Sequence, residues 1–125
     1  MKKLAALVAL AAMFVSVAAF AANFDGTYTF QSRTKEGKAD LAGWTGTMTI
    51  GNGEMSRTYT SPDGKEKKFY VGTMKQDGDL VTVKFTDAYK KEYIGNEHKN
   101  KLTWQGSALT MKSDDGKFKE VWSKK

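Results

Sequence analysis

Beyond residue 22, polar and apolar residues alternate with a period of two through most of the chain. Residues 27–33 set Tyr28, Phe30 and Ser32 against Thr27, Thr29 and Gln31. Residues 44–50 set Trp44, Gly46, Met48 and Ile50 against three threonines, and residues 54–60 set Met55, Arg57 and Tyr59 against Ser56, Thr58 and Thr60. Residues 80–86 set Val81, Val83 and Phe85 against Thr82 and Lys84, and residues 117–123 set Phe118, Glu120 and Trp122 against Lys117, Lys119 and Val121. Shorter runs at 101–105 and 108–113 carry Leu102, Trp104, Leu109 and Met111, while 66–74 is apolar on both faces around Phe69, Tyr70 and Val71. Each run predicts a strand with one apolar face, eight in all, with a weaker ninth at 91–94.

Turn residues punctuate these runs. Glu36-Gly37, Gly51-Asn52-Gly53, Pro62-Asp63-Gly64, Asp77-Gly78, Gly95-Asn96, Gln105-Gly106 and Asp115-Gly116 each supply a residue that tolerates positive φ. Short hairpin connections in sequence predict an all-β, antiparallel, up-and-down meander. Closing it into an eight-stranded barrel buries every apolar face and removes the sheet edges; a two-sheet sandwich is the competing arrangement. Residues 34–43 and 87–100 interrupt the rhythm and suit a lid, a short helix or a wide loop at the barrel mouth.

The N-terminus has a different pattern. Met1-Lys2-Lys3 is a short basic start, residues 4–20 are an apolar run, and Ala19-Phe20-Ala21 fits small-x-small cleavage. This predicts a bacterial-type signal peptide over 1–21 and a single mature domain over 22–125, released without a transmembrane segment into the periplasm or the medium. Losing Lys2 and Lys3 lowers the net charge from +6 to +4. With no cysteine and one histidine, the chain has no disulfide scaffold, thiol nucleophile or multi-histidine metal site. The Asp77/Asp79 and Asp114/Asp115 pairs read as turn residues, and His98 as a solvated histidine in a polar loop, 95–100. Neither a nucleophile elbow nor a phosphate-binding loop occurs. No cofactor is implied.

The opening Gly26-Thr27-Tyr28 and the basic, aromatic ending Lys119-Glu120-Val121-Trp122-Ser123-Lys124 resemble the calycins, the lipocalin and fatty-acid-binding superfamily. In those proteins a Gly-x-Trp begins the first strand and a basic residue of the last strand packs over the ring. Tyrosine stands here in place of the tryptophan, and Lys119 or Lys124 is the candidate partner for a cation–π contact. Thr86-Asp87-Ala88-Tyr89 is similar to the lipocalin Thr-Asp-Tyr motif with one residue inserted. The resemblance implies a lipocalin-like barrel with a ligand cavity at one end and no catalysis.

Arg57 shares a face with Met55 and Tyr59, so it lies inside the barrel unless that face is turned out or the side chain reaches solvent. An interior guanidinium needs an acceptor, either an internal carboxylate such as Glu120 or a ligand acid group. The rings of Tyr28, Phe30, Trp44, Tyr59, Phe85, Trp104 and Trp122 form either a pocket lining around Arg57 or plain core. The expected function is a monomeric, non-catalytic binder of a small apolar or amphiphilic molecule, with anions among the candidates. The alternative is a filled barrel whose basic surface and long loops engage an anionic envelope component or an acidic protein. Export argues against nucleic acid as a partner.

Overall fold

The computed structural model describes residues 23–125; the expected signal peptide, 1–21, lies outside the described residues. Nine strands form one sheet: β1 (Gly26–Lys35), β2 (Lys38–Asp40), β3 (Thr45–Gly51), β4 (Glu54–Thr60), β5 (Lys67–Asp77), β6 (Leu80–Ala88), β7 (Glu97–Gln105), β8 (Ala108–Ser113) and β9 (Phe118–Lys124). Strands β3 to β9 pair each with the next, antiparallel throughout, and β1 pairs with both β3 and β9. That last pairing closes an eight-stranded barrel, as the meander pattern predicts. The short β2 folds back on the second half of β1 across the Glu36-Gly37 turn, where both residues have positive φ.

The expected strand at 91–94 is not one. Lys91–Tyr93 is a single 3-10 turn, closed by Ile94 N–H donating to the Lys91 carbonyl and followed by Gly95 at φ 91°. In the other direction β7 begins at Glu97, four residues before the expected start, because Val83 and Lys84 of β6 pair with His98 and Glu97. His98 and Asn100 point inward but are polar, so the apolar alternation that marks a strand begins only at Leu102. His98 therefore sits on a strand and not in a loop.

The hairpins use the chemistry their residues offer. Asn52 (φ 54°) and Gly53 (φ 73°) join β3 to β4 in a two-residue turn whose positive φ values match strand twist. Two other turns repeat one device. Ser61 Oγ and Lys65 N–H both donate to Asp63 Oδ1 (2.6 and 2.9 Å), and Ser113 Oγ and Lys117 N–H both donate to Asp115 Oδ1 (2.7 and 3.0 Å). Hydrogen bonds from Ser61 to Asp63, and from the Lys117 backbone to Asp115, hold both carboxyls below the ordinary aspartate value.

Two bulges interrupt the ladders. On β6, Thr86 is the extra residue: Val71 pairs with Asp87 and Gly72 with Phe85. Next to it, Gly72 is required by close approach, since a Cβ there would stand 2.5 Å from the Lys84 carbonyl oxygen. On β1, Phe30 pairs with Trp122 and Ser32 with Val121, so Gln31 has no partner. Before the bulge Tyr28 and Phe30 point inward, and after it Arg33 and Lys35 do.

The barrel is packed at one end. Phe24 lies beneath Tyr28 and Trp104, and above them come Met48, Ile50, Met55, Val81, Val83, Leu102 and Leu109, with Met111 and Trp122 beyond. The Tyr28 hydroxyl donates to the Phe24 carbonyl. Burial, and then the charge of Asp25, push the Tyr28 phenol up to about 12. Lys124 stands opposite Tyr28 in the β1–β9 register, but its Nζ lies over the Trp104 ring, 5.6 Å from the centroid. The basic residue at the barrel seam is thus Lys124, and the ring it covers is that of Trp104. Lys119 pairs with Thr34 on the outer face.

Candidate functional site

The other end of the barrel holds a cavity of about 370 Å³. Its floor is a polar cluster built on Glu120 of β9, which is 3 % exposed. Glu120 Oε1 accepts hydrogen bonds from the Tyr59 hydroxyl (2.8 Å), Trp122 Nε1 (3.0 Å) and Arg57 Nη1 (3.4 Å). Oε2 lies 2.7 Å from the same Tyr59 hydroxyl and 3.6 Å from Arg33 Nη1. The carboxylate is therefore held between two arginines, one from β1 and one from β4. Such a buried ion requires this saturation, because desolvation outweighs attraction when acceptor sites are left empty.

Arg57 is the better buried of the two, with its side chain 11 % exposed against 17 % for Arg33. The Arg57 guanidinium packs over Tyr70, 5.1 Å from the ring centroid, directly across the β4–β5 ladder. Burial works against its charge, but Tyr59, Glu120 and Tyr70 outweigh that, and its pKa stands above the ordinary arginine value. Burial also lifts the Tyr59 phenol well above its usual range; Arg57 opposes the shift and Glu120 adds to it, so the hydroxyl stays protonated and donates. Among the described residues, Nη1 is the only nitrogen of Arg57 with a hydrogen bond. It reaches Tyr59 (3.1 Å) and Glu120, and the buried Nε has no acceptor.

Arg33 was not anticipated from the sequence, because strict alternation from Tyr28 and Phe30 turns it outward. The bulge at Gln31 reverses that and sets it opposite Glu120. Its Nε lies 3.2 Å from Asp40 Oδ2 of β2, and its guanidinium stacks on Phe118 at 4.5 Å. Lys35 over Phe118 and Lys68 over Trp44 complete the basic rim. Among the described residues these two lysines have no carboxylate partner. Four cationic side chains thus line the cavity against two carboxylates, Asp40 and Glu120.

The opposite wall is aromatic. Tyr70 is its hub, with Phe85 at 5.3 Å, Tyr89 edge-on at 5.6 Å and Tyr93 stacked at 6.1 Å. Tyr89 and Tyr93 come from the 87–100 segment expected at the mouth. Burial and the neighbouring Tyr70 and Tyr93 hydroxyls push the Tyr89 phenol upward. His98 packs against Phe85, with ring centroids 4.8 Å apart and the planes tilted by 38°. Of the residues expected at the site, Arg57 and Phe85 line the cavity. Tyr59 lies behind its floor and orients Arg57. Tyr28, Phe30 and Trp122 lie in the core, Trp104 packs at the closed end, and Trp44 packs against the core under Lys68.

No family model and no curated protein sequence matches the chain. Solved structures do. A lipocalin-like protein from Bacteroides uniformis superposes with a TM-score of 0.58 at 12% identity, covering 83% of this chain and 100% of its own. The fold is lipocalin-like. An uncharacterized protein from Bacteroides eggerthii gives a TM-score of 0.56 at 11% identity, over 82% of this chain and 100% of its own. Identities this low carry the lipocalin-like architecture, and the site must be argued from its own residues. Among the described residues no helix is long and apolar enough to cross a membrane, and no cluster of three or more His, Asp or Glu side chains is placed to hold a metal ion.

His98 gives this site a pH dependence. Burial, and then the Arg57 charge, lower its pKa from the ordinary histidine value, with Asp115 opposing. The unfolded chain therefore takes up this proton first. The resulting stability is fully present above about pH 6.5 and is lost as pH falls through the depressed folded value. Thermal unfolding between about pH 7.5 and 5 should show wild type losing stability more steeply than His98→Asn. Parallel profiles would mean that His98 titrates as it does in the unfolded chain.

Proposed function

We propose that this chain is an exported, non-catalytic binding protein for a small amphiphilic anion. The observation that carries the reading is the cavity of about 370 Å³ with its excess of positive charge and its aromatic wall. The volume falls in the range of small-molecule pockets, about 300–1,000 Å³. Arg57 supports it further, because a buried guanidinium with most of its donors unused lacks acceptors that an entering acid group would bring. Arg57 would hold that group, Tyr59 and Glu120 would orient Arg57, and Phe85 would contact the apolar part. Trp44, under Lys68, would flank the basic rim, while Phe30 and Trp122 would form the core beneath the floor and Tyr28 and Trp104 would close the far end of the barrel. The signal-like N-terminus supports a periplasmic or secreted location.

The competing reading, a filled barrel acting through its surface, suits the Phe24 end but not the Glu120 end. Calorimetric titration of mature protein beginning at Ala22 discriminates the two. Small amphiphilic acids should bind, and the corresponding uncharged alcohols should bind at least tenfold more weakly. Arg57→Ala should weaken binding of the acids about tenfold or more, through loss of a charge-assisted bond. Equal affinity for acids and alcohols, or an unchanged Arg57→Ala titration, would remove the anion reading.

A further inference from the structure

The apolar surfaces of this barrel are divided by chemistry. Its aliphatic side chains, Ile50, Val81, Val83, Leu102 and Leu109 among them, are packed against one another and closed off by Phe24, with almost no exposure. The space in which a linear alkyl chain would run down the barrel axis is thus already filled. The open cavity presents rings instead. Tyr70, Phe85, Tyr89, Tyr93 and Phe118 line it, and Met111 is the one other apolar side chain in its wall. Tyr70 and Tyr93 are stacked with 26° between their planes, Tyr89 stands at 87° to Tyr70, and Phe85 is tilted by 36°. These faces and edges complement a further flat ring, which gains offset-stacked and edge-to-face contacts that an alkyl chain does not make. The hub ring, Tyr70, also carries the Arg57 guanidinium at 5.1 Å, so the ring wall adjoins the cation.

We propose that the ligand is a compact aromatic carboxylate, with its ring system against Tyr70, Phe85 and Tyr93 and its acid group on Arg57. This rests on the anion reading above and narrows it to one substrate class. Three probes test it by calorimetry on the mature protein: 2-naphthoate, decanoate and 2-naphthalenemethanol. Naphthoate is expected to bind at least tenfold more tightly than decanoate and than the neutral alcohol. Tyr93 sits on the 3-10 turn at the mouth and is only partly buried against the edge of the core, where leucine keeps an apolar contact, so Tyr93→Leu should keep the fold by far-ultraviolet dichroism; Tyr89→Leu is the substitute if it does not. Either variant should weaken naphthoate about fivefold or more and leave decanoate within about twofold of wild type, by removing a ring–ring contact.

Decanoate binding as tightly as naphthoate, or variants that weaken both acids equally, would overturn the aromatic assignment while the anion reading stands. Naphthalenemethanol matching naphthoate would overturn the role of Arg57 in both. No binding of either acid at millimolar concentration would end both readings together.

Discussion

Glu120→Ala is expected to lower stability by about 3–5 kcal/mol, the range for removing one member of a buried ion cluster. The loss is large because four groups depend on that carboxylate. Arg57 and Arg33 lose their shared counter-ion, and the Tyr59 hydroxyl and Trp122 Nε1 lose their acceptor. Trp122 and Tyr59 are both fully buried, which leaves their donors without solvent. Arg33 retains Asp40, so the penalty falls chiefly on Arg57. Urea unfolding of wild type, Glu120→Gln and Glu120→Ala measures it. Glutamine keeps an acceptor oxygen and should cost less than alanine. A loss under about 1 kcal/mol for alanine would mean that water enters and replaces the carboxylate, and that the cluster is far wetter than its burial indicates.

Tyr28→Ala is expected to cost about 3–5 kcal/mol, as for other buried aromatic truncations. Tyr28 is fully buried, its ring faces Trp104 at 6.0 Å, and its hydroxyl donates to the Phe24 carbonyl. Truncation therefore opens a hole at the packed end and frees Phe24, the residue that closes it. Tyr28→Phe separates the two contributions, since it keeps the ring and leaves only the Phe24 carbonyl without its donor, a cost of about 1–3 kcal/mol. If alanine and phenylalanine cost the same, the ring contributes nothing and the Phe24 plug is held by the hydrogen bond alone.

The barrel was legible because the pattern that signals a strand is the same pattern that fills a core. Val81, Val83 and Phe85 alternate because each must be buried, and the turn residues between strands mark where the chain reverses. The site was legible only where it borrowed that pattern. Arg57 stood out as a charge at an apolar position, and Glu120 on the face of Phe118 and Trp122 was its natural partner. The remainder of the site departs from the pattern for physical reasons. A cavity wall needs polar inward residues, so His98 and Asn100 concealed the start of β7. Tyr89 and Tyr93 reach the mouth from an irregular segment that carries no periodicity. Tyr70 lay in a run apolar on both faces, which leaves its direction undetermined. The large aromatics at regular strand positions proved to be core: Tyr28 packs at the closed end, away from the cavity, and Trp122 lies behind the floor, bonded to Glu120.

Gln31 has no partner on β9 and touches nothing in the cavity, yet the direction of Arg33 depends on it. The charge of the pocket is thereby tied to chain length as well as to residue identity. An ungapped comparison with a lipocalin-like relative whose first strand is regular would equate Arg33 with an outward position and Ser32 with an inward one. The matching cation would seem absent from proteins that carry it one place earlier. A single-residue gap after Phe30 restores the correspondence, so the basic floor of such pockets has to be traced through backbone superposition and not through aligned letters.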